Sequence, residues 1–138
     1  MLGRRVHGGD MAMDWQETTD AVRTYLRERF DQPFSRGNAP LLRKGKSEEH
    51  TFEAVSEDGR IVADVKRLTR PDDPDEMKHA ALSIAYLHFA DADHKLLFLL
   101  DPLFYAAFCR KHEAEMVQWR KGGIEVVSPF EMGSYLGE

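Results

Sequence analysis

The run His50-Thr51-Phe52-Glu53-Ala54-Val55-Ser56-Glu57-Asp58-Gly59-Arg60-Ile61-Val62-Ala63-Asp64-Val65-Lys66 constrains this chain more than any other segment. Two alternating or β-branched stretches flank an Asp-Gly dipeptide. That is the strongest short signal for a β-hairpin, because both residues tolerate the positive φ of a type I′ turn. A two-residue loop at Asp58-Gly59 sets Glu57 opposite Arg60, Val55 opposite Val62, Glu53 opposite Asp64 and Thr51 opposite Lys66. Strand side chains alternate, so Thr51, Glu53, Val55, Val62, Asp64 and Lys66 are expected on one face. Directly opposed carboxylates repel, and Glu53 and Asp64 are therefore expected to share a cation or a proton. A slip of one residue would separate them.

The elements around the hairpin follow from local signals. Asp14, with Glu17 three residues later, is a candidate N-cap for a helix to about Phe30, in which Trp15, Val22, Tyr25, Leu26 and Phe30 recur at helical spacing. Pro33 ends it, Gly37 to Pro40 read as a turn, and Leu41 to Lys44 as a short first strand. Pro71 to Asp75 read as a loop whose last acid, Asp75, caps a helix from Glu76 to about Ala90. Residues 95 to 100 form an apolar run suited to a buried strand. Asp101-Pro102 opens a helix to about Lys121, Gly122-Gly123 stops it, and Ile124 to Ser128 is the last strand. The order is α, short β, hairpin, α, β, α, β. Strand-helix-strand units after the hairpin require parallel pairing, so the expectation is an α/β (α+β) domain, a mixed sheet with helices on its faces.

Size and composition bound the rest. At 138 residues and 42% hydrophobic content the chain fits one domain over residues 14–138. A domain of this size buries roughly two-thirds of its unfolded surface. Residues 1–13 are expected to be a disordered leader with no apolar stretch of a secretory signal. Within it, Gly8-Gly9-Asp10 before Met11 has the form of a translated ribosome-binding site, with the start at Met11 or Met13. Cys109 has no internal partner for a disulfide, which suits a reducing cytoplasm. No apolar run reaches the roughly 20 residues of a membrane span, so no membrane partner is expected. A net charge of −5 argues against indiscriminate nucleic-acid binding. The chain has no GxGxxG after a strand, no GxxxxGK[ST] and no GxSxG, which removes the common nucleotide and nucleophile-elbow sites.

A helix, then a hairpin with an acid on its first arm and acid-x-Lys on its second, then helix and strand, resembles the PD-(D/E)XK nuclease superfamily. That superfamily includes restriction endonucleases and archaeal Holliday-junction resolvases. The resemblance covers roughly Asp14 to Leu100, with Glu53 as the first-arm acid and Asp64-Val65-Lys66 as the acid-x-Lys element. It implies a restriction endonuclease-like αβββαβ core and hydrolysis of nucleic-acid phosphodiesters with magnesium or manganese. It also implies a helical acid completing the site, for which Glu17 is preferred over Glu28.

Charge suggests how such a site would work. Glu53 and Asp64, with the carbonyl of Val65, would hold one or two hard divalent ions. Lys66 would orient water or stabilise the phosphoryl group. Arg36, Arg43, Lys44, Lys46, Arg67 and Arg70 would grip a nucleic-acid backbone, DNA by preference, in a homodimer. The alternatives stay open. Glu53, Asp64 and Lys66 also fit a solvated, self-neutralising sheet face, and Glu17 a capping-box partner. The domain also fits a catalytically inactive nuclease-like fold that binds nucleic acid or a protein partner, or an interaction protein using the apolar residues 96 to 108. His88, Asp91, Asp93 and His94 are metal-capable types at a connection, His50 is expected to face solvent, and His79 to lie on a helix surface. Trp119 reads as packing rather than a base-stacking platform.

Overall fold

The computed structural model describes residues 13–43 and 45–137; the expected leader up to residue 12 and Lys44 lie outside the described residues. Met13, expected at the end of that leader, instead packs on the core, and its carbonyl accepts from Arg67. Asp14 then starts α1 (Trp15–Phe30) with a complete capping box. Its carboxylate accepts from the Glu17 N–H at 2.7 Å, and Glu17 Oε1 accepts from the Asp14 N–H at 3.0 Å. These bonds satisfy amide donors that a helix start otherwise leaves without partners. α1 ends at Asp31, whose left-handed φ of 55° turns the chain toward the sheet.

Five strands follow in the sheet order β1-β2-β3-β4-β5. They are β1 (Phe34–Arg43), β2 (Lys46–Ser56), β3 (Ile61–Lys66), β4 (His94–Leu99) and β5 (Ile124–Val127). β1, β2 and β3 pair antiparallel, whereas β3, β4 and β5 pair parallel through helical crossovers. The expected mixed sheet flanked by helices is therefore present. β1 is much longer than the expected strand at residues 41 to 44. Pro40 does not break it, because β1 is an edge strand where a missing N–H costs no ladder bond; the Pro40 carbonyl accepts from the Asp91 N–H.

The hairpin turn departs from the expected type I′ form. The connection is four residues long, Glu57 to Arg60, and of the Asp-Gly pair Gly59 has a positive φ, 74°, while Asp58 does not. Asp58 instead acts as the turn's acceptor, binding the Arg60 N–H and the Ser56 hydroxyl, and Ser56 Oγ in turn accepts from the Ile61 N–H. The side-chain bonds stabilise the turn that the expected backbone geometry does not supply. The register beside the turn is nevertheless the expected one, with Val55 opposite Val62.

Two cores line the two faces. On one, α1 residues Val22 and Leu26 pack with Ala54, Ala63, Val65, Leu96 and Phe98. On the other, Ala80, Ile84 and Leu87 of α2 (Pro74–Phe89) and Phe104 and Phe108 of α3 (Pro102–Lys111) cover Phe52, Val62, Leu97 and Leu99. The helix expected from 101 to 121 is broken at His112 into α3 and α4 (Glu113–Lys121), so that α4 turns back and Trp119 stacks 6.0 Å from Phe108. α5 (Pro129–Met132) and a 3₁₀ turn at Gly133–Leu136 close the α1 side.

Gly123 connects α4 to β5 with φ +87°, and a Cβ there would lie 2.6 Å from the Asp93 carbonyl oxygen. Gly123→Ala should cost about 1–3 kcal/mol through combined strain and overlap. The measurement is the urea unfolding midpoint, which should fall at an unchanged m value.

Candidate active site

β2 and β3 separate soon after their turn. They pair at Ala54–Ala63 and Val55–Val62, beyond which β2 runs with β1 while β3 runs with β4 as far as Lys66. A bulge accompanies the separation: Ser35 faces Val55 and Gly37 faces Phe52, so Glu53 and Ala54 together oppose Arg36. One extra residue reverses side-chain alternation upstream of it. Phe52 therefore lies in the α2-side core with Val62, whereas Ala54 lies in the α1-side core.

This reversal corrects the expected face. Thr51 pairs with Asn38 rather than Lys66, and is exposed. His50, two residues before Phe52, takes the place beside Asp64 instead of facing solvent: its Nε2 is 3.8 Å from Asp64 Oδ2. The imidazole stacks on Tyr86 of α2 with ring centroids 3.9 Å apart and meets Phe52 edge-on at 4.6 Å. Burial, and then the nearby Lys66 charge, lower its proton affinity. At neutral pH the ring is uncharged, and its contact with Asp64 is not an ion pair.

Asp64 is 6% exposed. Burial pushes its pKa up to about 6; the Lys66 ammonium acts against the rise, the Glu53 charge adds to it, and a hydrogen bond from the Glu53 backbone N–H lowers it. The bulge itself is held from α1. Arg23, almost fully buried, donates to the Glu53 carbonyl at 2.7 Å and also to Thr19 and Asp20. The Glu53 carboxylate lies 3.7 Å from Arg36 Nε, so it is close enough to act electrostatically on Asp64 but has a cationic neighbour of its own.

Asp64, Lys66 and His50 line a pocket of about 220 Å³ closed by His79, Ser83 and Tyr86 of α2. Lys66 gives its carbonyl to the Leu100 N–H on the β4 side. Successive strand residues direct their backbone groups to opposite edges, so Val65 presents its carbonyl toward β2, past the last β2–β3 pair. Asp64, Glu53 and this carbonyl are hard oxygen donors of the kind magnesium and manganese take, and a partly desolvated carboxylate with a raised pKa is one that a cation would stabilise. In that sense the residues fit a divalent ion. Among the described residues, no group of three or more His, Cys, Asp or Glu side chains is arranged to hold a metal.

The other expected site residues are dispersed. Glu17 is engaged in the α1 capping box. Arg43 pairs with Glu48 at 2.9 Å and lies over the Phe89 ring, and Arg70 pairs with Asp73 and Glu76. Lys46 opens β2 opposite Arg43. Arg36 is exposed beside the bulge, and Arg67 lines a second pocket of about 260 Å³ with Thr18, Thr69, Leu100 and Asp101. Asp91 and Asp93 are bound by Arg60 at 3.5 and 2.9 Å, which accounts for the acids of the alternative cluster with His88 and His94. Among the described residues, no helix is long and apolar enough to cross a membrane. The chain matches no protein-family model, no curated protein and no solved structure.

The raised pKa of Asp64 has a defined effect on stability. A carboxyl that binds protons more tightly when folded costs nothing below its unfolded pKa near 4, and the cost grows as pH rises to about 6, where it is complete. A shift of this size corresponds to about 3 kcal/mol. Asp64→Asn should therefore melt higher than the parent above pH 6 and show little difference at pH 4. Thermal unfolding at a series of pH values measures this, and equal Tm differences at both ends would contradict it.

Proposed function

We propose that this protein is a metal-dependent hydrolase of nucleic-acid phosphodiester bonds, with DNA as the preferred substrate. The observation that carries the reading is Asp64: a buried carboxylate with an elevated pKa at the mouth of a separated hairpin, two residues before a lysine that enters the same pocket. Perturbed acids in concave sites are more often functional than those on open sheet faces. The order of elements and the acid-x-Lys spacing, similar to those of the PD-(D/E)XK superfamily, support the same conclusion.

Asp64, the Val65 carbonyl and Glu53 would hold magnesium or manganese. When bound, such an ion supplies Lewis-acid polarisation of the phosphoryl oxygens and neutralises charge on the leaving group. Lys66 places an ammonium where negative charge accumulates on the phosphoryl group, and its attraction for Asp64 keeps that carboxyl from rising further toward neutrality. Arg67, which has no carboxylate partner among the described residues, and Arg36, whose contact with Glu53 is long at 3.7 Å, would be the candidates for flanking phosphates, whereas Arg43 and Arg70 already neutralise acids at closer range and contribute less. A homodimer would give so small a domain two strands' worth of contacts, and the half-buried lone thiol of Cys109 suits a cytoplasmic setting.

The Arg36–Glu53 contact favours a second reading, a nuclease-like domain that binds nucleic acid without cutting it. A cleavage assay with manganese on labelled single- and double-stranded DNA and RNA distinguishes the two. The hydrolase reading expects cleavage that falls about a hundredfold to a thousandfold in Lys66→Ala. Salt-sensitive retention of DNA with no cleavage would select the binding reading. Full activity in Lys66→Ala would place the chemistry elsewhere.

A further inference from the structure

We infer that His50 is a nitrogen ligand completing a mixed site with Asp64, and that this site selects manganese over magnesium. The inference rests on the reading above in taking a divalent ion to Asp64, and it departs from the all-oxygen acid pair that the hairpin register leads one to expect. The bulge at Glu53–Ala54 is the reason. It brings the His50 ring to the α2 face of the sheet and leaves the Glu53 carboxylate beside Arg36.

The geometry suits a shared ion. Two ligand atoms bound about 2.0–2.2 Å from one ion stand about 3 Å apart at a right angle and about 3.8 Å apart at an angle of about 120–140°. His50 Nε2 and Asp64 Oδ2 are 3.8 Å apart, too far for a hydrogen bond and within the span an ion would bridge. The ring is held in that position from two directions, by the Tyr86 face and the Phe52 edge, so little ordering remains to be done on binding. By strand alternation the Val65 carbonyl points toward β2 past the last β2–β3 pair, next in sequence to Asp64, and the pocket lined by His50, Asp64 and Lys66 leaves room for water or a phosphoryl oxygen. Manganese, although the weakest nitrogen binder of the first-row divalent ions, accepts an imidazole ligand more readily than magnesium, which strongly prefers oxygen. A His–Asp–carbonyl set therefore discriminates where an Asp–Glu–carbonyl set does not.

The test is pulsed electron paramagnetic resonance of the full chain loaded with manganese, together with calorimetric titration of manganese and of magnesium. The expected results are nitrogen modulation of the manganese signal and a manganese affinity at least about tenfold above that for magnesium. His50→Ala should lose the modulation and most of the preference, weakening manganese binding about tenfold or more while magnesium binding changes far less. Tyr86→Phe keeps the stacking face and should keep the modulation. A wild-type manganese complex without nitrogen modulation would overturn the inference whatever the variants do, as would an absence of manganese binding. Manganese-supported cleavage without nitrogen modulation would leave the hydrolase reading standing and remove His50 from the metal. Nitrogen modulation without cleavage of any substrate would support His50 as a ligand while removing the hydrolase reading.

Discussion

One extra residue in β2 determines where this protein's charged groups meet. An antiparallel pair that ran in register from the Asp58-Gly59 turn to the end of β3 would close the space beside Asp64 with ladder bonds and neighbouring side chains. The bulge at Glu53–Ala54 stops the pairing after Ala54–Ala63 and sends β2 along β1. Bulges recur where a sheet must end pairing and re-aim a side chain. Here three things follow together: Asp64 is buried with Leu97 of β4 on one side and no registered β2 partner on the other, Val65 lies past the last β2–β3 pair, and His50 turns to the α2 face. Arg23 ties the arrangement to α1 through the Glu53 carbonyl, so the packing of the first helix and the shape of the opening are linked.

The electrostatics of the opening come from competition between burial and the Lys66 charge. Desolvation disfavours the Asp64 carboxylate more strongly than Lys66 favours it, so the acid's pKa is raised. Burial and Lys66 act in the same direction on His50 and keep it neutral. The opening therefore holds a carboxylate, a neutral imidazole and an ammonium. A plain salt-bridged sheet face would have balanced its charges in solvent at little cost. The cost carried by Asp64 is of the kind that a neighbouring positive charge relieves.

Away from the opening, acids claim several of the basic groups. Arg60 is bound by Asp91 and Asp93, Arg70 by Asp73 and Glu76, Arg43 by Glu48 and Arg29 by Glu125. These pairs hold loops to strands and helices to sheet, and their positive field is largely spent locally. Of the other described basic groups, Lys66 lies in the Asp64 pocket, Arg36 beside Glu53, and Arg67 in the second pocket on the α1 side.

Much of the architecture is visible in residue order alone. Asp14 with Glu17, Asp101-Pro102 and Gly122-Gly123 start or stop helices through contacts within a few residues, and such local chemistry needs no partner from elsewhere in the chain; α2 instead starts two residues before the expected Glu76, with Asp73 rather than Asp75 as its cap and Pro74 in its first turn. The register of Val55 on Val62 is legible for the same reason, although a side-chain-bonded turn with one positive φ replaced the expected type I′ form. What the sequence could not convey is the bulge, because it depends on how β1 lies against β2: nothing between His50 and Ser56 marks Glu53 and Ala54 as sharing one place opposite Arg36. The length of β1 was hidden likewise, since Pro40 is harmless only on an edge. Local propensity thus determined most elements and the acid-x-Lys strand, but neither the length of β1 nor the break at His112 between α3 and α4. Tertiary pairing alone decided that an imidazole would stand 3.8 Å from Asp64, since side-chain alternation is reset wherever one strand accommodates an extra residue against its neighbour.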